Sequence, residues 1–270
     1  MRSVGRYFNS PAGLGLFGIV AFGVMWHALS RSGLVNSTML PSPAVVAESG
    51  WLLLTNGELL RHLSASIWRA EIGFFIGSAL AILLGVATAR LQLLDEMLNP
   101  LIQMFRAVPS LAFVPLAIFW LGVGETSKIF LIAWGVFFPV WVSTYIGVRD
   151  TNPLLARAAA SLGAKGWRNL VFVVLPAALP LILAGLRVSL SVALVVLVAA
   201  ELAGARFGVG YLIQVSQQVF RVDEMFVGLI ALGVLGFAAD FVFEQLVRLL
   251  FPWYRAERGT RSLRRERSDE

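Results

Sequence analysis

Cysteine is absent from all 270 residues, and histidine occurs only at His27 and His62. Disulfides and thiolate metal sites are therefore excluded, and two isolated histidines offer none of the close spacings that metal sites use. Charge is scarce too: Asp, Glu, Lys and Arg make up 14% of the chain, against 58% for hydrophobic residues. No run matches GxxxxGK[ST]; neither "GAKGW" nor "GETSK" supplies the phosphate-binding loop, so the chain has no means of its own to hydrolyse a nucleotide. Paired carboxylates, His-rich clusters and nucleophile–base sets are also missing beside the apolar stretches, which leaves a membrane enzyme without machinery. What is present is hydrophobicity. A mean hydropathy of +0.78 places the chain in a bilayer. The net charge of +6 raises nucleic acid as a partner, but the basic residues form no aromatic-interleaved face.

A helix needs about 20 apolar residues to cross the hydrocarbon core. Six stretches approach that length: 12–30, 68–89, 101–122, 129–148, 179–200 and 225–246. The fourth, "IFLIAWGVFFPVWVSTYIGV", carries no charge. The third is interrupted by Arg106, Pro109 and Pro115, breaks that survive at membrane depth only against protein or a cavity. The first resembles a signal peptide in its basic "MRSVGR" start, but its apolar run is too long and "WHALSRSG" is a poor cleavage site. The expected fold class is an all-α polytopic membrane protein of about six transmembrane helices. It divides into an amino-terminal segment (1–11), a transmembrane domain (12–252) with a loop at about 149–178, and a charged tail (253–270).

Arginine and lysine set the expected orientation. With both termini cytoplasmic, the inner side holds Arg2, Arg6, Arg90, Arg106, Arg149, Arg157, Lys165, Arg168, Arg248 and the tail arginines from Arg255 to Arg267. The outer side keeps Arg31, Arg61, Arg206 and Arg221, which satisfies the positive-inside rule. Residues 58–67 have a helical apolar pattern and read as an interfacial helix on the outer side, with Arg69 and Glu71 interfacial just beyond it. Trp26, Trp51, Trp68, Trp120, Trp134 and Trp141 fall near span ends or packed faces. The tail "RAERGTRSLRRERSDE" reads as a solvated topology anchor.

Between the fourth and fifth spans lies "DTNPLLARAAASLGAKG". Asn152 can cap a helix, Pro153 suits its first position and Gly163 can end it in the left-handed conformation, which predicts a helix over 153–162. Leu155, Ala158, Ala159 and Leu162 fall near one face, a narrow stripe that lets another backbone come close. A second short helix is predicted over 167–174, with Pro176 and Pro180 turning the chain back into the membrane. Periodicity alone leaves two readings open: a hairpin with Arg157, Lys165 and Arg168 on anionic lipid, or a docking element for another protein.

The order Arg157-Ala158-Ala159, three residues, Gly163, nine residues, Val173, one residue, Leu175-Pro176 resembles the loop signature of the membrane subunits of bacterial ATP-binding-cassette importers, with Val173 for Ile. "LPSPAVV" at 40–46, "GVGETSKIFLI" at 122–132, "LPAALPLILAGLRVSL" at 175–190 and "LVAAELAGA" at 197–205 are similar to the nitrate, sulfonate and taurine permeases. The likeness covers residues 40–250. It implies a type I importer fold in the bacterial inner membrane and a coupling helix seated in a groove of a separate ATPase dimer. It also implies a second permease copy, a periplasmic binding protein that delivers substrate, and ATP with Mg on the ATPase, with no cofactor bound by this chain. The ATPase-coupling residues would be Arg157, Ala158, Ala159, Gly163, Leu175 and Pro176. Arg157 stands where the signature most often has Glu, reversing a charge at the docking surface.

Polar residues within spans are costly in lipid and mark candidate pathways. Arg187, Ser191 and Glu201 share roughly one helical face in the fifth span, and Arg106 sits between helix breakers; these four are the translocation candidates. Each has a blander reading: Arg187 snorkelling to the inner interface, Glu201 as a structural partner near the helix end. A basic seam and the resemblance together point to a sulfonate, taurine or similar small oxyanion, with nitrate, aromatic acids and pyrimidine precursors as alternatives. A rival class is an ATPase-independent channel or secondary transporter, for which internal repeats are expected and none is evident.

Overall fold

The computed structural model describes residues 11–34, 36 and 38–252. The amino-terminal arginines and the tail at 253–270 lie outside the described residues. Every element among those described is helical: α1 (Pro11–Arg31), α2 (Pro43–Thr55), α3 (Glu58–Arg90), α4 (Gln92–Arg106), a 3-10 turn (Ser110–Phe113), α5 (Val114–Leu121), α6 (Glu125–Arg149), α7 (Pro153–Ser161), α8 (Trp167–Leu202), α9 (Val209–Gln218) and α10 (Val222–Leu250). Four of them, α3, α6, α8 and α10, are long and apolar enough to cross a membrane. The pair Gln92–Arg106 and Ser110–Leu121 passes the same test as one span bent by 91°. That bend falls at the Arg106–Pro109 interruption, where Pro109 cannot continue a helix.

The centre of the bundle is α6, which lies between α3 and α8. Leu131, Ile132, Val136, Val140 and Trp141 of α6 are buried against Ala81 of α3 and Ala193, Val196, Leu197 and Ala200 of α8. Between apolar helices in lipid there is little hydrophobic driving force, so close backbone packing must hold them. The sequence provides for that by placing small residues one turn apart: Gly73, Gly77, Ala81 and Gly85 form a stripe on α3. A Cβ at Gly77 would stand 2.4 Å from the carbonyl oxygen of Ala133, so only glycine permits this approach.

Gly73 meets Ile132 and Gly85 meets Thr144, which makes α3 and α6 parallel, whereas Gly135 against Val196 and Gly185 against Ser143 make α8 antiparallel to α6. Parallel neighbours require the chain to return between them. The bent α4–α5 pair therefore carries it from the Arg90 end of α3 to the Glu125 end of α6.

Two expectations are corrected. Residues 58–67 are not a separate interfacial helix but the first turns of the 33-residue α3. The preceding helix is instead α2, started by Ser42, whose side chain accepts from the Val45 N–H, with Pro43 following. Likewise 167–174 is not separate from the fifth span: α8 runs unbroken through Leu175, Pro176 and Pro180. Its early part, Leu170–Val174, is a π-helical turn. A proline has no N–H and crowds the carbonyl four residues back, and a widened turn just ahead of Pro176 accommodates both. The reversal of the chain is made earlier, at Gly163–Gly166, where both glycines have positive φ.

Candidate functional site: an exposed loop helix and two arginine–carboxylate centres

At the Arg149 end, α6 runs almost directly into α7. Asn152 Oδ1 accepts from the Leu154 N–H at 2.9 Å and Pro153 occupies the first turn, as the sequence predicts. The helix ends at Ser161, one residue short of the expected boundary. Gly163 has φ +89°, and the Ala164 N–H closes back on the Ala159 carbonyl at 2.9 Å, satisfying an end carbonyl that would otherwise be orphaned.

No residue of α7 is fully buried. Arg157, Ala158 and Gly163 are exposed and Ala159 is half-buried, while Leu162 and Trp167 stand 89% and 73% exposed with Leu154 and Leu155 beside them. Asn169 ties the element down by donating from Nδ2 to the Ala156 carbonyl at 2.9 Å. Leu175 and Val174 pack with Val148 and Ala178, so the Leu-Pro end of the motif anchors the loop to α6 and α8; Pro176 itself is exposed. α6 is braced in turn against α4, where Asp95 accepts from Tyr145 at 2.9 Å and from Arg149 at 3.2 Å. An apolar, small-residue helix is thus held out on a rigid mount.

The Glu125 end is built the opposite way. Arg69 is only 4% exposed, and its guanidinium joins Glu125 through Nε and Nη2, Glu201 Oε1 through Nη1 at 2.8 Å, and the Phe207 carbonyl at 2.6 Å. Arg69 is therefore not interfacial as expected; Glu71 is exposed. Glu201 is fully buried, accepts from Ser66 at 2.7 Å, and receives the Gly210 N–H at 2.8 Å. The neighbouring N–H groups of Gly208 and Val209 donate to His62 Nδ1 and Ser66 Oγ. These are the free donors at the start of α9, where a carboxylate also complements the helix dipole. Gly208 has φ +140°, and a Cβ there would stand 2.3 Å from the Glu201 carboxyl. The knot binds α3, α6, α8 and α9 together. An open cavity of about 470 Å³ at its mouth is lined by Arg61, Ser64, Trp68, Arg69, Glu125 and Phe207.

Arg187, Ser191 and Glu201 do not make one seam. Glu201 is enclosed in the knot, whereas Arg187 and Ser191 are exposed. Arg187 forms a two-pronged pair with Asp240 of α10, Nε to Oδ1 and Nη2 to Oδ2, each at 2.7 Å. Arg106 is exposed at the end of α4, beside the bend. Sequence reasoning missed Glu125, Ser66, His62 and Asp240. Glu125 and Asp240 carried the one available signal, a carboxylate at or inside an apolar stretch that calls for a cation.

The model of binding-protein-dependent transport system inner membrane components matches residues 77–256. The chain belongs to that family. The matched region includes α7 and the helices that mount it, so the permease carries the exposed loop helix within its family core. A putative aliphatic sulfonates transport permease of Bacillus subtilis is 39% identical over 87% of this chain and 85% of its own length. The taurine transport permease of Escherichia coli is 36% identical over 85% of this chain and 86% of its own. A crystal structure of an amino acid ABC transporter with histidines superimposes with a TM-score of 0.53 at 17% identity, over 74% of the permease and 95% of that chain, which shows the shared fold. The permease is a multi-pass inner-membrane protein.

Proposed function

We propose that the permease forms the transmembrane half of an ATP-driven importer for a small oxyanion, an aliphatic sulfonate or taurine, delivered by a periplasmic binding protein. The observation that carries this reading is α7: a capped, rigidly mounted helix whose outward face is alanine and leucine. Such a face is costly to leave in water and suited to a groove on another protein. Arg157, Ala158, Ala159 and Gly163 form the docking surface, with Leu175 and Pro176 linking it to α8. ATP and Mg bind on the partner ATPase dimer.

The permease pairs with a second copy and crosses six times, α1 contributing the first crossing and the α4–α5 pair the third. Both termini and α7 face the cytoplasm, in accord with the arginine and lysine distribution. The Glu125 end then faces outward, and the cavity beside Arg61 and Trp68 lies where a binding protein would release its ligand. Motion imposed on α7 by the ATPase passes directly into α6 and α8, its covalent and packed neighbours.

The test is uptake of taurine and ethanesulfonate by proteoliposomes containing the permease, its ATPase and the binding protein. Ala158→Arg, at an exposed position where folding is unaffected, is expected to reduce ATP-dependent uptake at least tenfold. Unchanged uptake would remove the coupling role. Flux in liposomes lacking the ATPase would instead establish an autonomous channel or secondary transporter. Uptake of nitrate, an aromatic acid or a pyrimidine precursor without uptake of sulfonates would keep the permease role and replace the substrate.

A further inference from the structure

The Arg187–Asp240 pair sits where neither ordinary account of an ion pair applies. Along α8, Arg187 lies about 21 Å from Glu201 at roughly 1.5 Å per residue. Along α10, Asp240 lies about 24 Å from Glu224 by the same rise. The two ends of α6 stand about 36 Å apart by that measure. Both groups therefore fall inside the roughly 30 Å hydrocarbon layer rather than at its edge. Yet the side chains are 45% and 44% exposed, unlike the enclosed Arg69–Glu201 pair.

Charged groups exposed to lipid at this depth are costly, and an aspartate is too short to snorkel. The face that bears them is therefore turned from lipid, toward the second copy and the path between the two copies. Ser191, one turn further along α8, is exposed on the same side and adds a hydroxyl. Arg187 presents the planar fork that matches carboxylates and oxyanions alike, and Asp240 occupies that fork in the structure.

We propose that Arg187 is a transient anion-binding site in the translocation path and that Asp240 is its resident counter-ion. The inference rests on the oxyanion reading above. Between substrates Asp240 neutralises the guanidinium, so the path carries no bare charge. A passing sulfonate competes for the same fork, with Ser191 able to donate to it, and Asp240 reclaims the arginine as the anion leaves. The carboxylate thus limits how tightly the anion is held, which a conduit requires of every site along it.

The absence of cysteine allows a direct test. In the reconstituted complex, Ser191→Cys carries the only thiol of this chain. Its labelling rates by sulfonatoethyl methanethiosulfonate and by the trimethylammonium analogue are compared, each normalised to the exposed control Asn56→Cys. The sulfonate reagent is expected to be favoured by about tenfold, the order of one nearby charge. Arg187→Gln, which leaves Asp240 uncompensated, should reverse the preference toward the trimethylammonium reagent, Arg187→Lys should keep it, and Asp240→Asn should raise it.

No labelling of Ser191→Cys, with the control labelled, would show a dry face and overturn the proposal; so would labelling indifferent to Arg187. In uptake assays with ethanesulfonate, Arg187→Gln and Arg187→Gln/Asp240→Asn should be equally impaired. Recovery in the double variant would reduce the pair to a structural clamp. A wild-type complex that transports no sulfonate, yet shows Arg187-dependent labelling, would overturn the substrate reading and keep the anion site.

Discussion

The two ends of the bundle use their side chains in opposite ways. At the Glu125 end the charged groups Arg69 and Glu201 are drawn inside and bonded on several sides, locking four helices to one another. At the Arg149 end the apolar residues Leu154 and Leu155 are displayed outside on a small helix with no fully buried residue, and Leu162 and Trp167 on the turn that follows it. Burying an arginine and a carboxylate is justified only when nearly every bond is made, so the first end resists rearrangement. Displaying leucine is justified when a partner covers it, so the second end is the one that the proposed function assigns to docking. The difference teaches which end is held by its own bonds and which end leaves its apolar side chains for a partner.

Breaking the locked end should have the largest effect on stability. Glu201→Ala leaves Arg69 buried with one carboxylate fewer and exposes the Gly210 N–H to an apolar site. A loss of about 3–5 kcal/mol is expected, read by denaturation in detergent. Gly77→Ala comes next, at about 1–3 kcal/mol, because the added methyl meets the Ala133 carbonyl and α3 must move away from α6. At the Arg149 end the same measurement should respond less. Gly163→Val strains a residue at φ +89° by about 1–2 kcal/mol, and Asn152→Ala removes a cap worth about 1 kcal/mol. Both should reduce ATP-dependent uptake by more than their stability cost explains, whereas Glu201→Ala should lose uptake only in step with folded protein. Arg157→Glu should change stability by less than about 0.5 kcal/mol while altering which ATPase the permease accepts.

The legibility of the two ends differs for the same physical reason. The Arg149 end is local: Asn152, Pro153 and Gly163 act on neighbours a few residues away, so the helix could be placed from sequence with an error of one residue. The knot is not local. Arg69 and Glu201 are 132 positions apart. Nothing near Arg69 in sequence distinguishes a buried cation from one at an interface, so the expectation of an interfacial arginine fails there. The same holds for Asp240, which meets Arg187 only through the packing of α10 on α8. The start of α3 differs from the expected 68 because residues 58–67 carry an apolar pattern that reads as a separate interfacial helix. They extend the helix into the knot, where His62 and Ser66 serve the start of α9. The π turn at Leu170–Val174 leaves no sequence signal beyond the proline that follows it.

Coupling through α7 is tested most directly by proximity. Ala158→Cys gives the chain a single thiol on the exposed face, to which a benzophenone maleimide can be attached. Irradiation of the complex in membranes should produce one dominant adduct, joining the permease to the nucleotide-hydrolysing subunit, with a yield that changes when ATP is added. Adducts to lipid alone, or a subunit adduct of equal yield from the α3 position Glu58→Cys, would contradict the assignment of α7 as the element that the ATPase moves.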